Sequence, residues 1–527
     1  MRTPASLPQK QSSALPYFLL TLAAAALWAM YTASACIARL QHYGTFVADM
    51  GTFRLSFQQM AEGLPPIIST IPPYIAQHHL FGMHFSPVLY LLVPFYAIWP
   101  HAELLFVAQS LLMASAAPLL FLLGRDRGIT PRMAFCFALL ALLNPFLLNA
   151  ALNDFHEISF AVPLMCIGLR AVVRRKFSWL LLACAGLLLT KEHYGASVMG
   201  FGLLWTWQHR DWKRGGMLAA GGILSLALVV GIVIPHFNQG GTHPMIELGA
   251  TNRYGWITLS WQAAEEAIRR LFYSQLSVAF YFMMLLGCVG YFPLLAPVFL
   301  LPGLADLLTN TLSSNGIMRL PIYYYSAPLV PVLLFASMAV WSMPAKLPYR
   351  YKQLFLALAL ATSLAFLIPG KLWERPLQWV QAEDRKNQER NMDQLLGACA
   401  RPLVQPNIFA NLASTPHTRP FSLKFSPEAD CIALHLDYPR NPKAVTGQGR
   451  FLSPYEPLSP IEYADQVREI AQDTSWRIVY WHTPWLFLRK APLEAALPQE
   501  ETRREVLQQL RDMHWFFTYF NRHRKHG

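Results

Sequence analysis

Apolar runs recur along the first 370 residues of this chain at lengths that suit a lipid bilayer. Each helical residue advances about 1.5 Å, so crossing a hydrocarbon core of about 30 Å takes about 20 of them. Such runs fall at 15–36, 103–123, 132–150, 156–173, 178–190, 194–209, 216–236, 275–291, 293–310, 322–343 and 351–370. They leave only 14% of the 527 residues charged, where an ordinary soluble domain carries about a quarter. The pattern predicts an α-helical polytopic membrane protein with about eleven transmembrane helices.

The turns between runs sort by charge. Arg125, Arg127 and Arg132 form one basic cluster, and Arg170, Arg174, Arg175 and Lys176 form the next. Arg210, Lys213 and Arg214 follow, then Lys346, Arg350 and Lys352. The alternate turns carry Asp154 and Glu157, Lys191 and Glu192, and the loop 237–274. With the basic turns cytoplasmic, the N-terminus and cytoplasmic loops hold fifteen Lys/Arg against two acids, which accounts for the net charge of +13. This meets the positive-inside rule. It also argues against a nucleic-acid partner, which would need a basic stripe on a soluble face.

Three stretches need separate readings. The run from Leu15 to Cys36 follows a basic flank but ends in no small-residue cleavage site, so it reads as a retained first helix. Phe85–Trp99 is short for a span, and counting it would invert every later turn, so it reads as re-entrant or interfacial. Pro293, Pro297 and Pro302 break the stretch 275–310 into two short helices joined near Gly290–Pro293.

From about Lys371 the chain turns polar. Segments 402–412 and 431–437 read as short strands, 461–472 as a helix, 477–489 as a strand pair and 499–513 as a surface helix. That alternation predicts a transmembrane domain over 1–370, with a first outer loop at 37–102, and a soluble α/β domain over 371–527. Five of the seven cysteines lie in apolar runs, and Cys399 and Cys431 are the two in the soluble part. A disulfide between them is chemically allowed outside the cytoplasm.

Several polar groups ask for a role. Asp49 follows the first helix; an acid near a membrane surface serves as general base or metal ligand when its surroundings tune it, and is otherwise solvated or caps a helix. His78, His79 and His84 match no standard zinc spacing. Asn153, Asp154, His156 and Glu157 crowd one boundary, and capping by Asn153 or Asp154 leaves His156 and Glu157 in need of partners. Lys191-Glu192-His193 reads either as a helix-end charge pair or as functional. Arg319 precedes Tyr323, Tyr324 and Tyr325, ordinary material for an aromatic belt. Four loops thus put charged or histidine residues on one side of the membrane.

The residues then resemble a known family. Asp49-Met50-Gly51-Thr52-Phe53, Phe81-Gly82-Met83-His84-Phe85-Ser86-Pro87, Asp154-Phe155-His156 with Ala161-Val162-Pro163-Leu164, Lys191-Glu192, and Tyr325-Ser326-Ala327 with Pro331 look like the bacterial membrane family called domain of unknown function 2079. Pro406–Asp437 resembles its soluble part. Departures fall at Arg54-Leu55, Met83 and Glu157. The family is itself similar to GT-C glycosyltransferases, which use polyprenyl-phosphate-linked sugars. That resemblance implies a bacterial inner-membrane transferase with a periplasmic C-terminal domain, a lipid-linked sugar donor and an unidentified acceptor. Asp49 would be the catalytic base, or would hold a divalent cation with Asp154, His156 and Glu157. His84, His156, Glu157, Lys191, Glu192, Arg319 and Tyr325 would bind the donor, Lys191 and Arg319 neutralising its phosphate. The same residues leave open a transporter or lipid flippase, or a non-catalytic membrane protein with a binding domain.

Overall fold

The computed structural model describes residues 13–70, 78–238, 275–313, 315–343, 348–367, 383–412, 417–422, 427–436, 460–490 and 498–523, with positions 261, 265, 269 and 415. Most of loop 237–274, Lys346, the boundary near 371, Asp437 and the basic tail past His523 lie outside the described residues.

The chain is mostly helical. Ala14–Gln41, Ala102–Asp126 and Trp212–Phe237 are each long and apolar enough to cross a membrane, and the pair Pro131–Leu142 and Pro145–Ala151, bent by 53°, makes a fourth candidate. The bend has a local cause: Asn144 accepts a hydrogen bond from the Phe146 N–H and Pro145 opens the second helix. Proline is tolerated at a first helical position and not in an interior, so the run stops and restarts there.

The remaining apolar runs form shorter helices, among them Ala161–Val173, Phe177–Leu188, Gln275–Gly287 and Leu329–Ser342. Helices of twelve to fourteen residues extend about 18–21 Å. Length and apolarity therefore single out three or four spans, where hydropathy alone predicts about eleven. Proline causes part of the shortening: Phe292–Leu295 and Pro297–Gly303 are 3-10 turns ahead of the helix Leu304–Leu312. The stretch 85–99 likewise becomes a 3-10 turn, Pro87–Leu91, and a helix, Val93–Ile98. A six-residue helix reaches only about 9 Å, so it does not cross.

Two compact units emerge. The first comprises Met1–Cys36, Phe81–Leu91 and Phe106–Pro376; the second comprises Ile37–Leu80, Leu92–Leu105 and Leu377–Gly527. In the first unit Tyr194–His209 packs on Trp212–Leu228, and Ala161–Val173 on Phe177–Leu188. The apolar helix Leu329–Ser342 is buried from Leu329 through Val340.

The second unit is built on a sheet. A short hairpin pairs β1 (Ile67–Ile68) with β2 (His78–His79). The main sheet holds β3 (Pro402–Val404), β4 (Arg419–Pro420), β5 (Cys431–His435), β6 (Arg477–His482) and β7 (Trp485–Arg489), in the order β4-β3-β5-β7-β6. Strand β3 runs parallel to both its neighbours, and β7 runs antiparallel to both of its own. Ile432, Leu434, Phe487 and Leu488 share a core with Tyr463 and Val467 of the helix Pro460–Gln472 and with Val506 and Leu510 of the helix Gln499–His523. Val47 and Leu55 join the same core, which is why the segment after the first helix belongs to this unit. Cys399 and Cys431 form a disulfide.

Candidate functional site

The turn between Phe177–Leu188 and Tyr194–His209 carries Lys191, Glu192 and His193, and each bonds a different segment of the first unit. Lys191 Nζ lies 2.5 Å from Glu157 Oε1, with the two side chains 11% and 2% exposed. The Glu192 carboxylate meets His84 Nδ1 at 3.0 Å and accepts the Phe85 N–H at 3.1 Å. His193 Nε2 lies 3.2 Å from Asp306 Oδ1. A charge taken out of water costs several kcal/mol unless it is paired, and these pairings make the turn tenable. Burial, and after it the nearby Lys191, hold His84 below the ordinary histidine range against the upward pull of Glu192. At neutral pH His84 is thus an uncharged donor to that carboxylate.

The crowded boundary at 153–157 resolves without a side-chain cap. The 3-10 turn Glu157–Phe160 has His156 at its N-cap, with no side-chain capping bond. Instead Gln109 reaches in: its Oε1 accepts the His156 N–H at 2.9 Å, and its Nε2 donates to the Asn153 carbonyl at 3.1 Å. His156 Nδ1 sits 2.8 Å from the Asp154 carbonyl, and its ring stacks on Tyr324 with centroids 3.5 Å apart. Tyr324 in turn lies against Tyr325 at 4.2 Å. Asn153 and Asn149 donate to the Ile322 and Pro321 carbonyls, fixing the approach to those tyrosines.

Arg319 is held differently. Its Nε donates to Ser277 Oγ at 2.7 Å, and Nη1 donates to the carbonyls of Asn310 and Ser313 at 3.2 and 2.9 Å. The residue is 5% exposed. All these acceptors are neutral, and no acid pairs with Arg319 among the described residues. Asn310 also donates to the Tyr325 carbonyl and to Ser326 Oγ, which ties Arg319 to the tyrosine run. A path therefore runs from Lys191 to Glu157, along the chain to His156, across Tyr324 to Tyr325, and through Asn310 to Arg319.

Eight of the sequence-derived candidates, His84, Asp154, His156, Glu157, Lys191, Glu192, Arg319 and Tyr325, belong to this one unit. Glu157 Oε1 faces Lys191 Nζ, and His156 Nδ1 faces the Asp154 carbonyl. Among the described residues the trio with ligand atoms within 4.8 Å of one another is Cys399, Asp430 and Cys431. Two of these are joined in the disulfide and offer no thiolate.

The ninth candidate, Asp49, belongs to the second unit. It sits half-buried in a π-helical turn, Val47–Gly51, that leads into the helix Thr52–Ala61. Gly51 permits this turn: a Cβ there would lie 2.9 Å from Val47 Cγ2 and 3.1 Å from Phe409 Cδ1. That unit also holds a cavity of about 830 Å³ whose lining includes Arg54, Gln58, Glu62, Tyr96 and Trp99.

Sequence reasoning missed Gln109, Asp306 and Asn310. All three are buried and lie inside or at the end of apolar runs. The signal was present, because a lone polar or ionisable residue in an apolar stretch is costly and so asks for a partner.

Residues 40–386 match the family described as Predicted membrane protein (DUF2079), and the chain belongs to that family. A comparison with curated proteins finds no match.

Proposed function

We propose that this member of the family is a multi-pass transferase that moves a sugar from a polyprenyl-phosphate-linked donor to an acceptor at the periplasmic face of a bacterial inner membrane. The observation that carries the reading is Arg319: a buried guanidinium bonded to neutral acceptors. A buried positive charge of this kind favours an anion, and the departing phosphate supplies one. Lys191, already matched to Glu157, positions the loop and adds a second cation near the donor. His84, His156, Glu192 and Tyr325 line the donor side in this reading. Asp49 holds the acceptor hydroxyl or takes its proton, with a divalent cation as an optional partner.

The proposed topology has about eleven membrane helices, short ones included, with the N-terminus cytoplasmic and the C-terminal domain periplasmic. The Cys399–Cys431 disulfide supports that side for the C-terminal domain, because disulfides persist in oxidising compartments.

The test uses the full chain in proteoliposomes with a synthetic polyprenyl-phosphoryl hexose and reads release of polyprenyl phosphate. Arg319→Met should lower turnover about 100-fold or more, the scale for losing a preorganised electrostatic contact. Asp49→Asn should abolish transfer, and chelation by EDTA separates a metal-assisted from a metal-free role. Unchanged turnover in both variants sinks the assignment. One observation favours a second reading, a lipid or solute transporter: Asp306 is an acid buried within an apolar run. Movement of a fluorescent polyprenyl phosphate across the bilayer without release of sugar would select that reading.

A further inference from the structure

The pair His193 and Asp306 has no part in the phosphate contacts above. Asp306 is the acid in the helix Leu304–Leu312, and it is 4% exposed. Its Oδ1 faces His193 Nε2 at 3.2 Å, while the carboxylate is buried beside the Tyr194 hydroxyl. A carboxylate accepts only, so the nitrogen facing it carries the proton. That leaves the lone pair on His193 Nδ1. The His193 side chain keeps 21% exposure against 5% for Asp306, so the imidazole is the open end of the pair and the carboxylate the enclosed end. Among the described residues no hydrogen bond engages Nδ1. His193 is also the third residue of the pinned turn, so Lys191 and Glu192 fix its backbone from the N-terminal side.

We infer that His193 and Asp306 form a proton-accepting dyad: His193 Nδ1 takes the proton of the acceptor hydroxyl, and Asp306 positions the imidazole and stabilises the imidazolium. The identity of the proton's source rests on the transferase reading. In the step, the acceptor oxygen forms its bond to the anomeric carbon as its proton passes to Nδ1. The bond from that carbon to the phosphate oxygen breaks, and the electron pair leaves with polyprenyl phosphate. A buried carboxylate orienting a histidine base is an arrangement that many hydrolytic sites share, and a positioned base contributes about 10²–10⁴-fold.

Two measurements on the full-length protein in lipid decide it. With the polyprenyl-phosphoryl hexose as probe, His193→Ala should lower kcat at least about 100-fold while KM for the donor moves less than about 2-fold. Added imidazole should restore activity to His193→Ala and not to Asp306→Ala. His193→Gln, which keeps a donor for Asp306, checks that the fold survives. Turnover of His193→Gln near wild type, or failure of imidazole to rescue a folded His193→Ala, overturns the dyad. The second measurement needs no donor. Solid-state NMR with ¹⁵N-histidine, the resonance assigned by its loss in His193→Gln, should show the Nε2–H tautomer, giving way to a mixture in Asp306→Asn. A wild-type His193 fixed as the Nδ1–H tautomer overturns the proposal even if the chain transfers no sugar. Absent turnover in the wild type with the expected tautomer instead removes the transferase reading and leaves the dyad standing.

Discussion

Charge does opposite work in the two units. In the first, Lys191 and Glu157 are 11% and 2% exposed, and their pairing holds a loop among apolar helices. In the second, Arg504 and Glu500 are 79% and 94% exposed on the helix Gln499–His523, while a sheet core and a disulfide hold the fold. Both are lysine- or arginine-to-carboxylate pairs. What separates them is water: a buried pair is costly to break because the survivor stays desolvated, whereas an exposed pair is screened and contributes little.

Removing one partner of each pair is the sharpest way to break this contrast. Lys191→Met leaves Glu157 buried and unpaired, and should destabilise the protein by about 3–5 kcal/mol, read as a lowered thermal midpoint in detergent. A loss near zero would mean that water reaches Glu157 and that the two units are not different in kind. Next in size is the disulfide: Cys399→Ser with Cys431→Ser should cost about 2–4 kcal/mol, seen as earlier proteolysis of the C-terminal sheet. Loss confined to the first unit's helices would contradict that placement.

A smaller effect follows from His84. Its folded-state proton affinity is lowered, so the unfolded chain binds that proton more tightly. Stability is therefore full above the ordinary histidine value of about 6.5 and falls as pH drops through it. Thermal midpoints from pH 7.5 to 5.5 should show this decline, and His84→Gln should flatten it; an equal slope in both proteins removes His84 as the cause. At the bottom of the scale, Arg504→Ala should leave the midpoint within scatter.

The fold was legible wherever hydrophobic periodicity decides structure. The run 194–209 becomes a helix with those bounds, and 461–472 and 477–489 become a helix and the β6–β7 pair. Breaks were harder. Hydropathy averages over Asn144-Pro145 and over Pro297 and Pro302, while the backbone does not, because a missing N–H is a local event. Strand β4, two residues long and containing Pro420, carries too little pattern to register.

The site divides on the same line. Charged residues in turns, such as Lys191, Glu192 and Glu157, stand out in sequence, and the structure supplies their partners. Asp306, Gln109 and Asn310 hide in apolar runs, and only contacts far along the chain give them meaning: Gln109 to His156, Asp306 to His193, Asn310 to Tyr325. The reading of Asn153 or Asp154 as helix caps gave way to Gln109 because a side chain from another helix reached the His156 N–H.

The turn at 191–193 also bears on how this unit can move. One residue of helical shift displaces a backbone by about 1.5 Å, enough, if directed along the bond, to take a contact of 2.5 Å beyond hydrogen-bond length. Lys191, Glu192 and His193 are consecutive and tied to Glu157, to His84 with Phe85, and to Asp306. A piston-like slide of Tyr194–His209 would load all three ties together, so resistance to sliding is shared among them. Rocking, with the partner segments carried along as one body, leaves the ties intact.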